Sequence, residues 1–350
     1  MTNQLHFTIV EASQVAEARR AITAQARSLG FNDTELGKVA IIVTEAATNL
    51  VKHTPGGQLL VRSLNQAGML GLELLALDQG PGLTNVSKAL ADGYSTAGSP
   101  GTGLGALARL SAVFDIHSLP TKGTALLVQL FKQNGQPGPG AHVAGNGASL
   151  PLEIGAVCLP KPGQEVCGDN WEVIQGRDVS LLMVADGLGH GPEAATASRT
   201  AVETLSGKQT SRDPKAVIEA AHAALYHTRG AALAVAELDL PQSVVRFAGI
   251  GNIAGMILTT GPTRHLASHN GIVGHRIRKI QEFSYPWFAD ALLVLHSDGL
   301  TTHWDLNAYP GLISRHPGLI AGVLYRDFSR GTDDASVVVV KQKQTEEYQT

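Results

Sequence analysis

The chain has 350 residues, about twice the roughly 150 of a typical domain, so its length predicts two domains. Apolar residues make up 43% and charged residues 16% of the sequence, a composition that excludes an intrinsically disordered chain. The 27 basic and 30 acidic residues give a net charge of −3 and form no basic run, which disfavours nucleic acid and an anionic membrane surface as partners.

The sequence also lacks the features of a secreted or membrane-bound protein. It begins without a basic segment followed by an apolar one, and no stretch approaches the ~18 unbroken apolar residues of a membrane-spanning helix. We therefore expect a cytoplasmic protein that uses no membrane, with another protein or a small molecule as its partner. The oligomeric state is left open.

A segment rich in Gly, Pro and Asn divides the chain. Residues 134–149 have no apolar period, which is typical of a flexible linker. The sequence therefore predicts one domain at 1–133, a second at 150–342 and a polar tail at 343–350.

The first domain begins with two helical patterns, at 13–29 and 33–53, and Asp33 is a candidate N-cap for the second. Strand patterns follow at 58–65, 70–78 and 124–130, with a third helical pattern at 104–113. We expect a layer of helices packed on a mixed β-sheet.

The second domain has a different pattern, in which short apolar runs dominate. Eight of them read as strands: 152–159, 169–174, 179–185, 231–238, 243–250, 254–259, 292–297 and 335–341. Two helical patterns, 192–205 and 214–228, interrupt them, the latter with Pro at its start. The whole chain is therefore predicted to be an α+β protein whose second domain is a β-sandwich flanked by helices.

The two cysteines, Cys158 and Cys167, are nine positions apart and lack the CxxC spacing of a zinc or redox site. Free cysteine is commonly buried as a small apolar side chain. We expect two reduced core thiols.

A first candidate site lies on the second predicted helix and the loops that follow it. Glu45 and Asn49 are four residues apart and share one helix face, with Lys52 one turn further on. Two glycine loops follow, Asp78-Gln-Gly-Pro-Gly82 at the end of a strand and Gly101-Thr-Gly-Leu-Gly105 before a helix. Backbone amides in such loops bind phosphate, although each feature alone is more typical of a turn or a solvated helix face.

Taken in order and spacing, these residues resemble the GHKL ATPase family, and within it the anti-sigma-factor and stressosome switch serine kinases. The resemblance covers nearly all of 1–133 and implies a site for ATP and Mg²⁺. In it Asn49 would ligate Mg²⁺ and Glu45 would be the candidate base. Asp78 would bond the adenine amino group, and Gly80 and Gly82 would allow the ring to approach.

The same resemblance implies the phosphate contacts. Lys52 would hold phosphates together with the amides of one loop: Gly101, Thr102, Gly103, Leu104 and Gly105. The run 94–105 resembles the short ATP lid of the switch kinases, and Lys122-Gly-Thr124 resembles their third nucleotide-site element. A base beside the acceptor hydroxyl and a metal across the phosphates are what phosphoryl transfer requires.

A second candidate site consists of aspartates at the ends of the later strands. Four segments place Asp beside or near Gly: Gly168-Asp169, Ala185-Asp-Gly-Leu-Gly-His-Gly191, Ser297-Asp-Gly299 and Gly331-Thr-Asp-Asp-Ala-Ser336. Each alone is typical of a turn. Carboxylates from several strands of one sandwich are nevertheless the ligands that a hard cation requires.

These segments resemble the metal-dependent PPM (type 2C-like) serine/threonine phosphatases, in particular the compact bacterial group of the sporulation-stage-II type. The resemblance spans about 152–341 and implies two Mn²⁺ or Mg²⁺ ions. Asp186 would bridge the ions, and the Gly187 carbonyl would bind one of them. Asp169 would hold the metal-bound water. Asp298, together with either Asp333 or Asp334, would complete the ligands of the other ion.

A kinase and a phosphatase in one chain indicate a bifunctional partner-switching regulator. It would phosphorylate and dephosphorylate Ser or Thr of a STAS-type anti-sigma antagonist or a stressosome-like protein. The alternative is a metal-dependent phosphoprotein phosphatase whose N-terminal domain only binds ATP or a partner and regulates it.

Overall fold

The computed structural model describes residues 4–66, 68–90, 103–133, 150–205, 212–259 and 261–343. They form two compact units, the first drawn from 1–149 and 307–315 and the second from 150–306 and 316–350. The proposed linker, 134–149, lies outside the described residues, as does nearly all of the proposed tail.

The first unit is a five-stranded sheet with helices packed on it. Its strands are β1 (Leu5–Ile9), β2 (Gly57–Gln66), β3 (Met69–Asp78), β4 (Val113–Leu119) and β5 (Gly123–Phe131). Its helices are α1 (Ala12–Ser28), α2 (Asp33–His53), α3 (Val86–Leu90) and α4 (Gly103–Leu110). The strand order is β1-β2-β3-β5-β4.

Every neighbouring pair in this sheet is antiparallel, so the expectation of a mixed sheet is wrong. The chain connectivity explains two of these four pairs, because β2 to β3 and β4 to β5 are joined by connections too short to cross over a sheet. The strands β1 and β4 were not predicted. The predicted helix 104–113 ends at Leu110, and Val113 already begins β4.

Helix α2 positions the first site and has the predicted bounds. Its N-cap is Asn32 rather than Asp33, because the Asn32 side chain accepts from the Glu35 amide at 2.9 Å. The Glu35 carboxylate in turn accepts from the Asn32 amide at 2.7 Å, which completes a capping box. The helix is held on the sheet by its buried apolar face: Leu36, Val39, Ile42, Val43, Ala46, Ala47 and Leu50. Each fully buried Leu or Val contributes roughly 1.5–3 kcal/mol.

The second unit is the predicted β-sandwich. Its strands are β6 (Leu152–Leu159), β7 (Asp169–Ile174), β8 (Val179–Gly187), β9 (Ala231–Asp239), β10 (Val244–Ile250), β11 (Ala254–Leu258), β12 (Arg264–Leu266), β13 (Gly271–Ile272), β14 (Arg276–Ile277), β15 (Phe283–Pro286), β16 (Leu292–His296) and β17 (Ala335–Gln342). One sheet has the order β15-β10-β9-β8-β7, the other has the order β12-β11-β16-β17-β6, and β13 pairs with β14.

Helices cover both outer faces of this sandwich. Helices α5 (Pro192–Leu205) and α6 (Pro214–Ala224) pack on the first sheet, and α7 (Pro317–Phe328) packs on β6 and β17. Helix α7 was not predicted, because Gly318 and Gly322 lower its helix propensity. Glycine is needed at this contact, since a Cβ on Gly155 of β6 would lie 1.9 Å from the Gly318 nitrogen.

Short 3₁₀ turns occur at Leu306–Ala308 and Leu312–Ser314. Among the described helices, none combines the length and the apolar character needed to cross a membrane.

Candidate active sites

The first site begins where helix α2 meets the start of α4. Glu45 and Asn49 are half-buried on α2, and Gly103 is the first residue of α4. A Cβ built on Gly103 would lie 3.0 Å from Glu45 Oε2 and 3.8 Å from Asn49 Oδ1. The structure therefore brings the predicted base, the predicted Mg²⁺ ligand and the predicted phosphate loop together.

Asp78 forms a second cluster at the end of β3. It is buried, and its Oδ1 accepts hydrogen bonds from the Gly80 amide at 2.8 Å and the Thr124 amide at 3.2 Å. A Cβ on Gly80 would lie 2.8 Å from Thr54 Cγ2, so the loop passes close to the end of α2. Three predicted residues from two separate segments thus meet: Asp78 and Gly80 from one loop, and Thr124 from another.

Gly82 requires glycine for two reasons. Its φ is +71°, in the left-handed region, and a Cβ there would lie 2.1 Å from the Leu119 carbonyl oxygen. The sequence did not single out Ser118, which holds this loop. Ser118 Oγ accepts from the Leu83 amide at 2.7 Å and lies 2.9 Å from Thr124 Oγ1. Ser118 lies in β4, and because this strand was not predicted, nothing else in the sequence indicated that Ser118 would hold the loop.

Of the predicted phosphate loop, the structure describes the last three residues. Gly103, Leu104 and Gly105 form the first turn of α4, whereas Gly101, Thr102 and the lid residues 94–100 lie outside the described residues. Lys52 is exposed in the last turn of α2. A helix start beside a carboxylate and an amide, together with a buried aspartate in a glycine cradle, suits a nucleotide with its cation.

The second site lies at one end of the sandwich. Asp169 at the start of β7 stands directly opposite Asp186 of β8 in the antiparallel ladder. Asp169 is 4% exposed, and its Oδ2 has no hydrogen-bond partner among the described residues. A buried carboxylate oxygen without a donor is costly unless it is protonated or binds a cation.

Gly187 places the backbone of this cluster against helix α5. A Cβ on Gly187 would lie 2.0 Å from the Ala194 carbonyl oxygen, so only glycine fits. Its amide donates to the Gly168 carbonyl at 3.1 Å, which ties the end of β8 to the residue before Asp169.

Asp298 follows β16 and is held by a residue whose role the sequence did not reveal. Asn252 donates from Nδ2 to Asp298 Oδ2 at 2.7 Å. Before Asp298, the buried His296 accepts at Nε2 from Trp304 Nε1 at 3.2 Å, so its Nδ1 donates to the Ser297 carbonyl at 2.8 Å. Burial lowers the pKa of His296, which keeps the ring neutral in this arrangement.

Asp333 and Asp334 both reach the cluster but differ in their surroundings. Asp334 is 3% exposed, with Oδ1 accepting from the Lys161 amide at 2.8 Å and Oδ2 lacking a partner among the described residues. Asp333 is half-buried, and its Oδ1 accepts from the Asp334 amide at 2.9 Å. The choice of ligand between them stays a prediction.

The aspartates interact electrostatically. Burial first, and then the neighbouring carboxylates, raise the pKa of Asp186 to about 9. Burial also raises the pKa of Asp169 to about 7, which the hydroxyls of Ser297 and Ser336 oppose only in part. Such clusters of carboxylates with raised pKa values are typical of functional sites.

These residues suit a hard cation in their donor chemistry, because carboxylate oxygens are the ligands that Mg²⁺ and Mn²⁺ prefer. Within the described part of the chain, no group of three or more His, Cys, Asp or Glu side chains is arranged to hold an ion. The number of ions and the ligand set therefore stay predictions.

Two family models match the chain, one for each site. The histidine kinase-like ATPase domain matches residues 10–130. Stage II sporulation protein E (SpoIIE) matches residues 176–343, a range that includes the predicted ligands from Asp186 onward and begins after Asp169.

Individual proteins are also similar to this chain. The serine/threonine-protein kinase RsbT of Bacillus subtilis (strain 168) is 30% identical over 126 residues, which are 36% of this chain and 95% of RsbT. A solved structure described as the bacterial stressosome, a modular system adapted to control secondary messenger signalling, has a TM-score of 0.51 and 28% identity. It covers 54% of this chain and 99% of its own. A structure of the PP2C phosphatase domain and a fragment of the regulatory domain of SpoIIE from Bacillus subtilis has a TM-score of 0.47 and 16% identity. The match covers 97% of this chain and 99% of that one.

Proposed function

Because the chain belongs to the histidine kinase-like ATPase family through its N-terminal domain and to the SpoIIE family through its C-terminal domain, we propose that it is a bifunctional partner-switching regulator. It would add phosphate to a Ser or Thr of a STAS-type anti-sigma antagonist or stressosome-like protein and remove it again. ATP with Mg²⁺ would serve the first reaction, and Mn²⁺ or Mg²⁺ the second.

The observation that carries this proposal is the presence of two chemically different clusters in two compact units. In the first, Glu45 lies beside the start of α4, where phosphates would bind, and close to Asn49. A carboxylate in this position accepts the proton of the attacking hydroxyl during phosphoryl transfer. Asp78 would orient the nucleotide from the other cluster of the same unit.

In the second unit the aspartates would perform the hydrolysis. Asp186, Asp298 and one of Asp333 and Asp334 would hold the cations, with Asp169 positioning the attacking water. When bound, the cations would lower the pKa of that water and neutralise the charge of the phosphate. Asn252 would keep the Asp298 carboxylate in place through its 2.7 Å hydrogen bond.

The test uses the full chain, ATP labelled in the γ-phosphate and a panel of STAS-domain proteins from the same genome. Asp186→Asn should abolish hydrolysis, so that labelled partner accumulates to a higher level than with the unaltered chain. Glu45→Gln should leave the partner unlabelled. The exposed carboxylates Asp178 and Glu17 supply the control variants Asp178→Asn and Glu17→Gln.

The alternative, in which the N-terminal domain regulates without transferring phosphate, gives a different result. Under it no STAS protein is labelled even by the Asp186→Asn chain, whereas ATP changes the rate at which the unaltered chain hydrolyses a phosphorylated partner. That outcome would refute the bifunctional proposal and leave the phosphatase in place.

A further inference from the structure

The fold brings the two cysteines side by side. Cys158 is near the end of β6, in one sheet of the sandwich, and Cys167 lies just before β7, in the other. Their Sγ atoms are 3.6 Å apart, and both residues are half-buried. Both are reduced, as expected, but they are half-buried rather than core residues, and their spacing did not predict that they would be in contact.

The distance is short enough for a bond to form with a small movement. A disulfide has an S–S distance of about 2.05 Å, so the two sulfurs would have to approach by roughly 1.5 Å. The connecting segment 160–168 has exposed residues at Pro162, Gly163, Glu165 and Val166, where movement meets little packing. Cys158, by contrast, is held in the ladder opposite Ser336.

The cysteine pair also adjoins the aspartates. The Cys158 thiol lies 3.5 Å from the Asp169 carbonyl oxygen. The segment between the cysteines supplies the Lys161 amide that donates to Asp334 Oδ1 at 2.8 Å. Gly168 follows Cys167 and packs closely on the same carboxylate, because a Cβ there would lie 2.5 Å from Asp334 Oδ2.

We propose that Cys158 and Cys167 form a reversible disulfide that weakens cation binding by the aspartate cluster. A movement of Cys167 toward Cys158 pulls on Gly168 and Asp169 and strains the contacts of this segment with Asp334. Disturbing the groups that orient metal ligands commonly costs tenfold or more in affinity, so we expect about a tenfold loss. The cation effect rests on the proposed function, whereas formation of the disulfide does not.

The reaction is a thiol–disulfide exchange with a small disulfide such as oxidised glutathione. The thiolate of one cysteine attacks the glutathione disulfide, forming a mixed disulfide and releasing one glutathione as its thiol. The second cysteine then attacks the protein sulfur of the mixed disulfide and releases the second glutathione. The protein loses two protons and two electrons, and the oxidant gains them.

The contact with Cys158 and then burial raise the pKa of the Cys167 thiol. Because the thiolate is the attacking form, the exchange should be slow, and the measurement must be made at equilibrium.

The first experiment detects the bond itself. The full chain is equilibrated in oxidised or reduced glutathione, quenched with acid, denatured and digested with a glutamyl endopeptidase. This protease cuts after Glu165, between the cysteines, so the fragments 154–165 and 166–172 separate unless a disulfide joins them. Mass spectrometry should find them joined after oxidised glutathione and separate after dithiothreitol. Cys158→Ser and Cys167→Ser should never yield the joined species.

Separate fragments after oxidised glutathione, with or without glutathione attached to one cysteine, would overturn the proposal. The second experiment follows the Mn²⁺-induced rise in unfolding temperature by tryptophan fluorescence. The oxidised chain should need about tenfold more Mn²⁺ than the reduced chain, and Cys158→Ser should respond equally in both buffers. Equal responses of the joined and reduced chains would refute the cation effect. No response from the reduced chain would instead count against the proposed phosphatase.

Discussion

Replacing Asp186 with Asn should stabilise the cation-free second unit, and the gain should grow with pH. The pKa of Asp186 is raised to about 9 in the folded protein, against about 3.9 for an unperturbed Asp. At any pH between these two pKa values, the folded state therefore holds a proton that the unfolded state has lost. The contribution of the protonated Asp186 carboxyl group to the free energy of unfolding is fully present below pH 4. It falls as the pH rises toward 9, where the buried group must ionise.

The size of this gain follows from how steeply the free energy of unfolding changes with pH. One fully linked proton changes the free energy of unfolding by about 1.4 kcal/mol per pH unit, hence roughly 4 kcal/mol between pH 5 and 8. The neighbouring aspartates share that proton, and the site relaxes when it ionises, so we expect about half of this, ~2 kcal/mol. Asn cannot ionise and lacks this penalty. Asp186→Asn should therefore gain about 2 kcal/mol on the unaltered chain over that range.

The assay is urea unfolding with a chelator present, followed by tryptophan fluorescence. All three tryptophans, Trp171, Trp287 and Trp304, lie in the second unit, so the signal reports on that unit alone. Asp178→Asn, at an exposed position before β8, is the matched control. The reasoning is refuted if the difference between Asp186→Asn and the unaltered chain does not change with pH, or if Asp178→Asn shows the same change.

Four further predictions follow from the two sites. Asp78→Asn should weaken ATP binding by about 1.5–3 kcal/mol in calorimetry, Asn49→Ala should remove mainly the Mg²⁺-dependent part, and the exposed control Asp33→Asn should change little; unchanged affinity for Asp78→Asn would contradict the nucleotide assignment. Asp169→Ala should retain more Mn²⁺ affinity than Asp186→Asn, and equal values in an Mn²⁺ titration would argue against the bridging role of Asp186. Gly187→Ala should lower the free energy of unfolding of the second unit by about 1–3 kcal/mol, because its Cβ would lie 2.0 Å from the Ala194 oxygen, whereas Gly261→Ala, whose nearest neighbour is at 3.5 Å, should have little effect. Cleavage at a protease site inserted in 134–149 should leave both activities intact, since each site takes its predicted ligands from one side of the cut; loss of hydrolysis on cleavage would indicate a composite enzyme.

The secondary structure was predicted best where the apolar pattern is uninterrupted. The bounds of α2, α5, β6 and β7 agree with the sequence-based expectation. The misses have physical causes. Strand β4 follows α4 with only two residues between them, so the predicted helix extended into it. Helix α7 contains Gly318, which packs against Gly155 of β6.

In the candidate sites, too, local sequence patterns predicted some residues and missed others. Glycine next to or near an acidic residue at a strand end is by itself typical of a turn. Only the order and spacing of several such segments pointed to Asp78 and to Asp186. The supporting residues Ser118 and Asn252 carry no such pattern. Each forms a 2.7 Å hydrogen bond with a residue far away in the chain, Ser118 with Leu83 and Asn252 with Asp298. No local spacing in the sequence predicts these bonds.

The sequence by itself determined the two-domain α+β character and most of the helices and strands, and it predicted which residues would bind nucleotide and cations. These features depend on local apolar spacing and on short motifs, both of which can be read within a few residues. Only the tertiary structure decided the antiparallel order of the first sheet, the facing of Asp169 and Asp186, and the meeting of Cys158 with Cys167. Strand pairing and the packing of one sheet on another set these distances, and both join segments whose separation along the chain says nothing about their separation in space.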